Sequence, residues 1–90
     1  MFRSHRLSRL VDDAAFLMTP EMEAARIEYR QEVAAGLQIY ADPEQVRRAL
    51  FNLIKNGVQA RQQGGRLWVR GREEAGEVVV EVRDTGPGIP

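Results

Sequence analysis

Asp42-Pro43-Glu44-Gln45-Val46-Arg47-Arg48-Ala49-Leu50-Phe51-Asn52-Leu53-Ile54-Lys55-Asn56-Gly57-Val58-Gln59-Ala60 is the stretch whose reading decides the fold. It opens as a helix start: Asp42 is placed to cap, Pro43 occupies the first position, where its missing N–H costs nothing, and Gln45 can complete a capping box. At about 100° per residue, Val46, Ala49, Leu50, Leu53, Ile54 and Gly57 gather on one side. Gln45, Arg48, Asn52, Asn56 and Gln59 gather on another. The spacing predicts an amphipathic helix over 43–63, ended by Gly64-Gly65.

Two asparagines share the polar stripe, four residues apart, with Asn56 beside Ala49 and Ala60 at the border of the buried face. Such a stripe has two readings. An asparagine offers a neutral carbonyl oxygen to a hard cation and an N–H to a phosphate oxygen, which suits a magnesium ion already carrying nucleotide phosphates. An amphipathic helix also needs a wet face, which asparagines serve equally well.

Downstream, Leu67, Val69 and Gly71 alternate with Arg66, Trp68 and Arg70, predicting a strand over 66–72. Glu73-Glu74-Ala75-Gly76 turns it into a second strand over 77–84. There Val78, Val80, Val82 and Asp84 share one face, so a carboxylate stands in line with three apolar side chains. A purine amino group is a natural partner for it, since hydrogen bonds to charged acceptors contribute roughly 1.5–3 kcal/mol. Thr85-Gly86-Pro87-Gly88 then makes a loop that permits close approach of a ligand or a hinge, and that also reads as a surface turn.

Upstream, Ile27, Tyr29 and Val33 alternate with Arg26, Glu28, Arg30 and Glu32, and a second short alternating run covers Leu37 to Ala41. The brief break at Ala34-Ala35-Gly36 predicts an antiparallel hairpin over 26–41. Before it, Leu7, Leu10, Val11, Ala14, Leu17, Met18 and Ala25 recur at three and four, predicting a first helix over 5–25. Pro20 predicts a bend in it, or a restart capped by Thr19. The order is helix-strand-strand-helix-strand-strand in one domain over 1–90. The expected class is α+β, a two-layer sandwich with helices over one mixed sheet.

Composition narrows the functions. Thirteen basic and thirteen acidic side chains cancel, which argues against nucleic acid or an anionic membrane surface as partner. The chain has no cysteine, so disulfides and thiolate metal sites are excluded. No apolar run approaches the roughly 20 residues that span a bilayer, so the expectation is a cytoplasmic segment without membrane contact, any anchor lying elsewhere.

Residues 42–60 strongly resemble the N box of histidine kinases, and Asp84-Thr85-Gly86-Pro87-Gly88-Ile89-Pro90 resembles their first glycine box. The two occur in the family's order with a hairpin between them, and the first helix and hairpin are similar to that domain's usual opening. The resemblance implies a Bergerat-type fold, from the superfamily shared with gyrase, a heat-shock chaperone and mismatch-repair ATPases, truncated before its lid. It implies ATP and Mg2+ as cofactors, Asn56 as magnesium ligand, Asn52 as first N-box asparagine and Asp84 as acceptor for the adenine amino group. Gly86 and Gly88 correspond to the glycines that flank the nucleotide and hinge its lid, and Lys55 and Gln59 are expected near the phosphates. Hydrolysing relatives carry a water-activating glutamate where Asn52 stands; an amide cannot act as that base, which favours phosphotransfer. Gly57 departs from the family's usual alanine, at up to about 1 kcal/mol in helix propensity.

The phenylalanine box, second glycine box, lid and closing strand and helix are expected after Pro90, so the isolated chain is expected to be inactive and monomeric. His5 precedes Arg6-Leu7 and lacks the acidic residue and downstream proline of the phosphoacceptor motif; it is expected to be an ordinary solvated side chain. The complete protein would pair with a phosphoacceptor helical domain and a response regulator. Two alternatives stand beside this reading: a non-catalytic fragment or interaction module of the same fold, and a superfamily hydrolase.

Overall fold

The computed structural model describes residues 2–60 and 64–85, Thr85 by its backbone alone. Eight elements follow one another: β1 (Arg3–Arg6), α1 (Leu7–Phe16), α2 (Thr19–Ala24), β2 (Ile27–Val33), β3 (Gln38–Ala41), α3 (Pro43–Ala60), β4 (Gly65–Glu74) and β5 (Glu77–Thr85). The class is α+β, with the helices packed on a three-stranded sheet ordered β2-β4-β5. A separate two-stranded sheet pairs β1 with β3.

α3 starts as its sequence dictates. The Glu44 N–H donates to Asp42 Oδ1 at 3.0 Å and the Val46 N–H to the Asp42 carbonyl at 3.1 Å, so the cap closes through Glu44. Leu50, Ile54 and Val58 are buried along its inner face. Leu53, assigned to that face by periodicity, is 45% exposed, because it stands at the edge of a cleft beside the sheet.

The first helix is interrupted. Residues 5 and 6 belong to β1, α1 ends at Phe16, and a new helix begins at Thr19. Pro20 sits in its first turn, the restart that a proline without an N–H allows; Met18, rather than Thr19, takes the cap position. Leu7, Leu10, Val11, Ala14 and Met18 are buried as the stripe requires, but Leu17 is 65% exposed at the break.

The expected hairpin over 26–41 does not form. β2 pairs parallel with β4, Ile27 opposite Gly65 through Val33 opposite Gly71, and β3 pairs antiparallel with β1. The Leu37 N–H donates to the Ala34 carbonyl at 3.2 Å with Gly36 at φ +79°, and this turn carries the chain out of the larger sheet. The Leu7 N–H then holds the Leu37 carbonyl at 2.9 Å, which ties β3 to the start of α1. Alternation requires only that one face of β2 be buried, which the helix layer does; β4 pairs along its edge, and α3 lies in the crossover that a parallel pair needs.

β4 and β5 form the antiparallel hairpin read from sequence, with Val69 opposite Val82 and Leu67 opposite Asp84. Ala75 and Gly76, at φ 52° and +81°, make its two-residue turn. Leu67 and Val69 are fully buried under α1 and α3 with Leu7, Leu10, Val11 and Ile54. The outer face carries Arg66, Arg70 and Arg72 in ion pairs with Glu28, Glu32 and Glu81. His5 differs from expectation: it is half-buried, and its Nε2 is closed off without a hydrogen-bond partner among the described residues. Pairing of β1 with β3 sets His5 opposite Ile39.

Candidate functional site

A cleft of about 270 Å³ runs between α3 and the β4–β5 hairpin, lined by Leu53, Asn56, Gly57, Leu67, Val82 and Asp84. Helical spacing sets Leu53, Asn56 and Gly57 on the flank of α3 that overlooks β5. Strand pleating sets Val82 and Asp84 on the face of β5 that looks back, and register puts Leu67 directly beside Asp84. Asn56 and Asp84 are both exposed, whereas Leu67 is buried, so two polar groups stand over an apolar floor. Such a floor takes a flat ring, while the polar groups fix its orientation. A carboxylate accepts hydrogen bonds from an amine; an amide oxygen can join the shell of a divalent cation.

Not all the residues singled out in the sequence meet there. Lys55 and Gln59 lie on the opposite flank of α3, lining a second hollow of about 590 Å³ with Met18, Glu21, Ala24, Ala25, Phe51 and Val58. Asn52 is exposed one turn before Asn56. Gly86 and Gly88 lie outside the described residues. Among the described residues no group of three or more His, Cys, Asp or Glu is placed to hold a metal. An amide oxygen such as that of Asn56 is a donor suited to a hard cation whose other ligands are phosphate oxygens and water. The floor residues Leu67 and Val82 were legible in the sequence only as core; the signal that they also bound a site is that Asp84 shares their face.

The cleft is held by the packing of α3. Arg47 Nε meets Asp13 Oδ2 at 3.0 Å, an exposed ion pair between α1 and α3, and Arg47 Nη1 meets Glu44 Oε1 at 3.5 Å within α3. Between β2 and α1, the Tyr29 hydroxyl donates to Gln31 Oε1 at 2.7 Å, and Gln31 Nε2 donates to Asp12 Oδ1 at 2.6 Å. Burial, with the Asp12 charge adding to it, raises the Tyr29 phenol above its ordinary range.

Residues 41–90 match the family model described as histidine kinase-, DNA gyrase B-, and HSP90-like ATPase. Among curated proteins, the chain is 36% identical over 74 residues to the adaptive-response sensory kinase SasA of Synechococcus sp. (strain JA-2-3B'a(2-13)), covering 79% of this chain and 19% of the relative. Sporulation kinase C of Bacillus subtilis (strain 168) is 28% identical over 91 residues, 99% of this chain and 21% of that kinase. The chain thus spans about a fifth of the length of these relatives. Among solved structures, the catalytic domain of histidine kinase ThkA superposes with a TM-score of 0.90 at 24% identity, over 100% of this chain and 62% of that one, and so shares the fold. Full-length ShkA in complex with AMPPNP gives 0.84 at 28% identity, over 99% of this chain and 19% of that one.

Proposed function

Because the chain belongs to the histidine kinase, DNA gyrase B and HSP90-like ATPases, we propose that it binds ATP with magnesium in the cleft between α3 and β5, as the nucleotide-holding part of a sensor histidine kinase. The observation that carries this reading is that Asn56 and Asp84, distant in sequence, line one cleft with an apolar floor. Asp84 accepts a hydrogen bond from the adenine amino group, and Asn56 offers its amide oxygen to magnesium. Asn52, one turn before Asn56 on α3, serves the phosphate end, and Gly86 and Gly88 take the family's part of flanking the nucleotide and hinging its lid; Lys55 and Gln59, on the other flank of α3, stand apart from this cleft. The magnesium supplies charge neutralisation on the phosphates, and the protein holds the nucleotide in place.

In the complete protein the γ-phosphate passes to a histidine on a separate helical domain and then to a response-regulator aspartate. The amide of Asn52, which cannot activate water, favours that transfer over hydrolysis. A structure of ThkA in complex with the response regulator TrrA gives a precedent in a protein of the same fold. We take the chain to be a monomeric, cytoplasmic segment.

A titration with an ATP analogue and magnesium, followed by amide chemical shifts, tests the reading. Shifts centred on Asn56 and Asp84 are expected, with Asp84→Asn weakening nucleotide binding and Asn56→Ala removing its magnesium dependence. Shifts absent from both residues, or binding indifferent to both substitutions, would leave the chain as an interaction module of the same fold.

A further inference from the structure

Gly57 and Leu67 interlock beneath the cleft. A Cβ built on Gly57 would lie 2.6 Å from Leu67 Cδ1, 3.6 Å from Leu67 Cδ2 and 3.6 Å from Val82 Cγ1. Carbon atoms in contact stay about 3.5–4.0 Å apart. The space that a side chain on residue 57 would take is therefore filled by the δ-methyl of the leucine. Gly57 has no positive φ, so backbone conformation does not demand glycine there, and a glycine inside a helix weakens it. Close approach is what the residue provides.

Leu67 is also the register partner of Asp84, on the same face of the hairpin. With its δ-methyl withdrawn into the notch at Gly57, the leucine leaves room beside the carboxylate. An alanine at 57 would expel that methyl. On the core side Ile54 and Val69 are fully buried, so the open direction is the cleft, toward Asp84.

We infer that Gly57, acting through Leu67, sets the depth of the base pocket, and that the pocket accepts adenine carrying a small substituent on its exocyclic amine. The inference deepens the nucleotide reading above and rests on it. A monomethylated amine keeps one N–H for Asp84, so only the space for the methyl is at issue. Gly57 is a positioning residue: it touches the leucine, and the leucine shapes the pocket.

The test is the ratio of dissociation constants for N6-methyl-ATP and ATP, each with magnesium, measured by calorimetry on the full chain. The wild-type ratio is expected within about threefold of one, and Gly57→Ala is expected to raise it roughly tenfold or more, the usual effect of one methyl group in a closed pocket. Leu67→Val added to Gly57→Ala removes a carbon where one was gained, and it restores the ratio. Val82→Ile, which thickens the same floor from β5 and leaves the sequence of the helix unchanged, raises the ratio and serves if Gly57→Ala does not fold. Loss of stability alone weakens both ligands and leaves the ratio unmoved. ATP binding with a ratio that none of these substitutions changes, or a wild type that rejects the methylated ligand tenfold, overturns the inference and leaves the nucleotide reading intact. Failure of the wild type to bind either ligand overturns both.

Discussion

Replacing Ile54 by alanine strips a side chain with no exposed surface down to its Cβ. At about 0.8 kcal/mol per methylene-sized group, the transfer loss is about 2.4 kcal/mol. Leu67 and Val69, also without exposed surface, come from a strand paired on both sides and cannot collapse into the gap. The cavity that remains raises the expected cost to about 3–4 kcal/mol. For a chain of this length, with stability of roughly 5–13 kcal/mol, that lowers Tm by roughly 12–25 °C. Leu53→Ala is the control on the adjacent residue. Leu53 is 45% exposed at the cleft edge, so about half the transfer term applies and little cavity forms; the expected cost is about 1 kcal/mol. Nucleotide binding should respond in the opposite order, with Leu53→Ala weakening it several-fold at nearly unchanged stability. Thermal and urea unfolding followed by far-UV circular dichroism measure the first quantity, and calorimetric titration the second. Equal losses of stability at the two positions would refute the placement of the cleft along this edge of α3.

Tyr29 makes stability sensitive to alkali. The unfolded chain loses the phenolic proton near pH 10, while the fold holds it to higher pH, so its contribution is complete below about pH 10 and is lost as pH rises above it. Tyr29→Phe should flatten that decline in urea titrations between pH 9 and 11, and an unchanged slope would count against the buried hydroxyl. Gly71→Ala would set a Cβ 2.7 Å from Leu7 Cδ2 and 3.3 Å from Val33 Cγ1, costing about 1–3 kcal/mol; Leu7→Val should recover part of the lost Tm. Ala75 holds φ 52° in the β4–β5 turn, a strain that asparagine tolerates, so Ala75→Asn should raise stability by up to about 1 kcal/mol, and a lower Tm would refute the turn geometry.

Helix α3 and the β4–β5 hairpin were legible because their signals are local: a cap and a proline at Asp42-Pro43, an apolar period, a glycine in the turn. The partner of β2 was not legible. Ile27, Tyr29 and Val33 state that one face must be buried, and they say nothing of which strand pairs along the edge; a short break pointed to β3, while the structure chose β4, far along the chain. Strand β1 escaped notice since Arg3-Ser4-His5-Arg6 has no apolar alternation and exists by pairing with β3. In the site, Asn56 and Asp84 could be singled out by chemistry, but their meeting depends on how α3 lies across the sheet. That same rotation carries Lys55 and Gln59 to the other flank, which a list of polar residues on one helix could not foresee.

The parallel partnership of β2 also governs the order in which the chain can be completed during synthesis. About thirty residues separate the end of β2 from the start of β4, which at roughly 5–20 residues per second amounts to some two to six seconds on the ribosome. Throughout that interval Ile27, Tyr29 and Val33 have left the exit without the neighbour they will adopt, and both edges of their strand are bare. The nascent chain is then most open to chaperones and to mispairing with another copy, a hazard that lasts until the β4–β5 hairpin arrives.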